Sequence, residues 1–108
     1  YINLYIKFNT ALINSLKSLD MSHLIYEDGI KIIKKYFEQK NILSSINIDI
    51  TSLKRILKDN IKANDFDALS KLLDEFQAKS YSQLKDDKDE ENMKKSLKKI
   101  LKRIDEYV

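Results

Sequence analysis

A chain of 108 residues with no proline and a single glycine, Gly29, has almost no means of making tight turns. Two-residue hairpin loops need residues that tolerate positive φ, and a sheet of any size needs several such loops, so this chain is directed towards helices. Lysine, leucine and glutamate, all good helix formers, fill many of the remaining positions. The length admits one domain, which buries roughly two-thirds of its unfolded surface and so builds one modest core. Hydrophobic residues at 43% supply that core, and 34% charged residues cover it. The apolar positions never form the run of about 20 that a membrane span requires. A soluble, monomeric, all-α domain with no membrane contact is expected.

Counting apolar positions against a 3.6-residue period divides the chain. Ile2, Tyr5, Phe8, Leu12, Leu16 and Leu19 form a first stripe, widened by Ile6 and Ile13. The pattern breaks at Asp20 and Ser22, both candidate N-caps for a second helix bearing Leu24, Ile25, Ile32, Ile33, Tyr36 and Phe37 and closing at Asn41. Gly29 inside that helix either admits a close neighbour or marks a late start, and close packing is favoured. Ile46, Ile50, Leu53 and Leu57, with Ile56, predict a third helix ending at Lys58-Asp59-Asn60, with strand as the rival for the β-branched run at 48–51. Asn64 or Asp65 then caps a helix carrying Phe66, Leu69, Leu72, Leu73 and Phe76. After a polar stretch, Met93, Leu97, Ile100, Leu101 and Ile104 predict a last helix, with acids before it and Lys98, Lys99, Lys102 and Arg103 towards its end to suit the helix dipole. The expectation is a compact bundle of about five helices. Residues 1–79 form its body, and 80–108 a linker and a C-terminal amphipathic helix packed on it or extending from it. The predicted core is Leu12, Leu16, Ile33, Phe37, Leu53, Ile56, Leu69, Leu73 and Phe76.

Little catalytic chemistry is available. The chain has no cysteine and one histidine, His23, so neither a thiol nucleophile nor a histidine-rich metal site can be assembled. One glycine rules out a glycine-rich phosphate loop. Asp65-Phe66-Asp67 starts like a calcium loop, but the turn glycine is missing and Phe76 stands at the closing position. No catalytic residue, cofactor or metal is expected. Lys94, Lys95, Lys98, Lys99, Lys102 and Arg103 could touch nucleic-acid phosphates, yet the net charge is only +3 and no aromatic residues interleave for stacking. Any such binding should be weak, unspecific and lost by ~200 mM salt.

Two separated pieces carry a resemblance. Asn14-Ser15-Leu16-Lys17 resembles the end of the first helix, and Ile50-Thr51-Ser52-Leu53-Lys54-Arg55-Ile56 the fourth helix, of the helical domain named after the N-terminal domain of the elongation factor TFIIS, in its integrase-binding variant. The likeness spans about Tyr5 to Lys79. It implies a compact right-handed bundle that reads short, disordered, acidic and apolar motifs of transcription and chromatin proteins, without catalysis, in the nucleus. Two interhelical loops bind the partner in that family, through an aspartate after the first helix and an apolar pocket. Ile61 takes the part of the pocket's valine. Asp20 takes the aspartate's part if one residue is inserted, and Leu19 stands there in the ungapped register. Asp59 replaces the pocket phenylalanine, so Phe66 must fill the gap or the pocket is absent.

Partner-binding residues are therefore expected at Leu19, Asp20, Ile61 and Phe66, and Ile61 is equally readable as a plug at the end of the core. Two other readings compete: a helical surface or adhesion module of a low-GC pathogen, placed outside the cell and binding a host protein, and an accessory helical domain of a parasite DNA-binding factor. The chain opens at Tyr1 and not at a methionine, so a fragment of a longer protein is expected.

Overall fold

The computed structural model describes the backbone of residues 2–82 and 86–108 and the side chains of 10–82 and 86–108. Five helices account for the regular structure of those residues, with no strand among them: α1 (Ile2–Met21), α2 (Ile25–Gln39), α3 (Ile50–Asn60), α4 (Ala63–Ser80) and α5 (Asp87–Asp105). The β-branched run at 48–51 accordingly ends a loop and starts α3. The stripe positions Ile2, Tyr5, Ile6 and Phe8 lie outside the described side chains.

Local chemistry sets most boundaries. Asn41, at φ 61°, is the left-handed residue that turns the chain out of α2, and the Ile42 and Leu43 amides close on the Phe37 carbonyl at 2.9 and 3.1 Å. Asp49 caps α3 by accepting from the Ser52 amide at 3.3 Å, and the Ser52 hydroxyl, followed by that amide, lowers its carboxyl below the ordinary range. Asp86 caps α5, accepting from the Lys88 and Asp89 amides, each at 3.1 Å.

Three local expectations are corrected. Neither Asp20 nor Ser22 is the N-cap of α2, because α1 runs through Asp20 and Leu24 takes the cap position with no side-chain bond. Ser22 instead bridges, accepting from the Leu24 amide at 3.3 Å and donating to Asp28 Oδ2 at 2.8 Å. Asn64 and Asp65 do not cap α4, which begins one or two residues earlier with Lys62 at the cap; Asp65 is spent on a tertiary contact. The third helix starts at Ile50 and leaves Ile46 in the loop, 46% exposed, because the cap at Asp49 fixes the start.

The long helices form a ring in the order α1, α2, α4, α5, with α2 and α5 meeting across it and α3 packed mainly on α4. Tyr26 and Tyr36 of α2 meet Asp89 and Asp105 of α5, so those helices run parallel. Asp20 and Ser22 meet Lys98 and Lys94, and Asp65 and Lys79 meet Arg103 and Asp89, so α1 and α4 run antiparallel to α5. The result is an up-down-up-down four-helix bundle, 47 × 27 × 25 Å, with α3 inserted in the crossing from α2 to α4. Ile33, Phe37, Leu53, Leu69, Leu73 and Phe76 are buried as expected, whereas Leu12, Leu16 and Ile56 are only half-buried. Met93, Leu97, Ile100, Leu101 and Ile104 are buried too, so α5 is a wall of the bundle and not an extension. No helix among the described residues is long and apolar enough to cross a membrane.

Candidate interaction surface

The four residues singled out for partner binding do not come together. Leu19 is fully buried, and Ile61, expected as a candidate for exposure, is 8% exposed. Its amide closes α3 on the Leu57 carbonyl at 2.9 Å while its side chain joins the core. Phe66 is half-buried against the same core. Asp20 alone has an open side chain, 63% exposed and paired with Lys98. The α1–α2 connection meets α5 at Lys98 and Lys94, through Asp20 and Ser22, and the start of α4 meets it at Arg103, through Asp65. Lys98 and Arg103 are five residues apart on α5, about 7.5 Å along its axis at 1.5 Å per residue.

The apolar surface sits elsewhere. Met21 (76% exposed) and Leu24 (54%) flank the α1–α2 connection, and Tyr81 (82%) follows α4 at the same end of the bundle. The signal that could have found them was the one used for Ile61, an apolar residue in a polar connection. Met21 falls between Asp20 and Ser22, and Tyr81 between Ser80 and Ser82. Beside them, Ser22, His23, Asp87, Glu90, Glu91 and Lys94 line a polar groove of about 220 Å³. His23 is exposed, and no group of three or more carboxylates or histidines among the described residues is arranged to hold a metal ion.

The basic stripe is divided between fold and solvent. Lys94 donates to the Ser22 carbonyl at 2.6 Å, Lys98 pairs with Asp20, and Arg103 pairs with Asp65 at 3.1 Å. Lys95, Lys99 and Lys102 are exposed. Half of the positive field that suggested nucleic acid therefore holds α5 in place.

The same helix is fastened by a motif used three times, an aspartate that accepts both a tyrosine hydroxyl and a cation. Asp89 takes Tyr26 at 2.5 Å and Lys79 at 2.7 Å; Asp105 takes Tyr36 at 2.5 Å and Lys40 at 3.0 Å; Asp65 takes Tyr107 at 2.7 Å and Arg103 at 3.1 Å. Burial, followed by the hydrogen bond to the carboxylate, raises the Tyr26 and Tyr36 phenols well above their ordinary value. Lys79, followed by Tyr26, lowers the Asp89 carboxyl. These groups are matched to one another and make no open reactive centre. Comparison with protein families, curated proteins and solved structures finds no match to the chain.

Proposed function

We propose that the chain is a non-catalytic helical module whose α1–α2 end holds a short apolar segment of another protein. The observation that carries this reading is the exposure of large apolar side chains at this end, Met21 and Leu24 at the connection and Tyr81 after α4, with the open carboxylate of Asp20 next to Met21 in the chain. Burial against a partner contributes about 1.5 to 3 kcal/mol for each large apolar side chain. Asp20 can accept backbone N–H groups of a docked segment, since its exposed pair with Lys98 is of the kind worth only about 0 to 1 kcal/mol and is readily exchanged. This keeps one half of the site implied by the likeness to the TFIIS N-terminal domain family, the aspartate after the first helix, and moves the apolar half from Ile61 to Met21 and Leu24.

In this reading the partner is a disordered motif of a transcription or chromatin protein, met in the nucleus. The motif's charge is the point of departure: Glu27, Asp86, Asp87 and Glu91 are exposed at the same end, so an apolar motif with basic flanks fits better than an acidic one. Capture from nuclear extract by the parent chain, by Met21→Asp/Leu24→Asp and by Asp20→Asn tests it. The double variant should lose a partner that the parent retains, with an unchanged melting temperature, and Asp20→Asn should weaken capture without loss of stability. Equal capture by all three would overturn the site.

A further inference from the structure

The second groove of the bundle lies between α1 and α2 and has a different character. Asn14, Ser15 and Ser18 line it from α1, and Lys31, Lys35 and Gln39 from α2, over an apolar floor at Ile32. Every polar lining side chain can donate a hydrogen bond, and no carboxylate lines the groove, in a chain with 17 acidic residues. Lys31 and Lys35 stand one helical turn apart on the same face, a mild repulsion between like charges that a bound anion would relieve. Neither has an ion-pair partner among the described residues. The nearer acids of α2 are engaged or turned elsewhere: Asp28 accepts from Ser22, and neither Glu27 nor Glu38 lines the groove.

Ser15 supplies the independent observation. The residue is 5% exposed and its hydroxyl makes no hydrogen bond among the described residues; since none of their buried side-chain oxygens or nitrogens lacks a partner, that hydroxyl keeps accessible surface and is open to a ligand. What surface it keeps opens into the groove that it lines. An accessible hydroxyl free of internal hydrogen bonds, two ammonium groups and further donors from two helices make a site for an oxyanion. The groove holds about 110 Å³, well below the ~300 to 1,000 Å³ of pockets that enclose drug-sized ligands, and no aromatic residue lines it for a base to stack on.

We infer that the α1–α2 groove binds a phosphate monoester group, with Lys31 and Lys35 neutralising its charge and the Ser15 hydroxyl donating to one of its oxygens. The phosphate can be free or esterified to a side chain or small molecule, and the site does not depend on the partner surface at the α1–α2 end.

Amide NMR of the whole chain, titrated separately with inorganic phosphate, with a phosphoserine tripeptide and with a single-stranded RNA oligonucleotide, tests this. Saturable shifts confined to 14–18 and 31–39 are expected with both phosphates, and tighter binding of one of them identifies the free or esterified source. Lys31→Gln/Lys35→Gln should abolish the shifts, whereas Lys95→Gln/Lys99→Gln, which removes the same charge from α5, should leave them intact. Ser15→Ala, a substitution that favours helix, should weaken binding roughly tenfold through loss of a bond to a charged acceptor. Overturning results are unsaturable shifts, equal losses in the two lysine pairs, unchanged affinity in Ser15→Ala, or tighter binding of the RNA with steep salt dependence.

Discussion

Gly29 shows how one atom decides a packing distance. A Cβ built there would lie 2.6 to 2.9 Å from three ring carbons of Phe76, which is itself fully buried and has nowhere to move. Alanine at an ordinary helical glycine gains about 1 kcal/mol, but overpacking costs about 1 to 3 kcal/mol, so Gly29→Ala should lower stability. In a Phe76→Leu background the same alanine should be neutral or stabilising, and a urea-unfolding cycle of the four proteins reads the coupling. A higher midpoint for Gly29→Ala alone would show that α2 and α4 are not held at this distance. Ile61 is the other decisive residue. With its side chain 8% exposed and joined to the core, Ile61→Asp buries an unpaired charge and should abolish cooperative folding. A folded variant with a near-parent melt would return Ile61 to the surface.

At the scale of the element, α5 depends on charges as well as on its apolar face. Lys40 and Asp105 keep side-chain exposures of only 7% and 10%, so Asp105→Asn removes the carboxylate from a nearly buried ion pair and should lower stability, by at most about 3 to 5 kcal/mol. Tyr36→Phe, which removes one donor and keeps the ring, should cost about 1 to 3 kcal/mol by leaving the carboxylate short of a bond. The pH dependence follows from the direction of each shift. A phenol raised in the folded state, as in Tyr26 and Tyr36, adds stability that is fully present below its unfolded value of about 10 and is lost as pH rises through the folded value. Asp89, lowered by Lys79 and Tyr26, adds stability present above about pH 4 and lost as pH falls through its folded value. In an alkaline titration, phenolate absorbance from Tyr36 should therefore appear together with loss of helical circular dichroism. Full ionisation of every tyrosine while the helices persist would contradict the buried bond.

Across the whole molecule, the four long helices share one core. A chain ending at residue 82 would lose Met93, Leu97, Ile100, Leu101 and Ile104 together with all three aspartate-centred contacts. Such a fragment should retain some helix without a cooperative thermal transition, and a sharp melt near the parent's temperature would show that residues 1–79 are a self-sufficient body. The two ends of the bundle also differ. The α1–α2 end carries Met21, Leu24 and Tyr81, the most exposed of the large apolar residues, and most of the acids of the last connection, whereas Ile61, Phe66 and Tyr107 pack on the core at the α3–α4 end.

The amino-acid sequence by itself determined the helices, because a 3.6-residue apolar period is a property of neighbouring positions and shows before any helix meets another. Asn41 as the end of α2, the lysine-rich end of α5 and the tight approach at Gly29 were legible for the same local reason. Tertiary structure alone decided which polar residues were available. Asp65 reads locally as a cap, yet it receives Arg103 and Tyr107 from nearly forty positions away or more. Lys94 and Lys98 read as a solvated stripe, yet they hold the end of α1. Ile61 lies outside every stripe because it belongs to a connection, and only the docking of α3 against α4 buries it. Polar pairings carry no period, and the sides of a groove come from separate helices, so the partner end and the Ser15 groove exist only once the ring has closed.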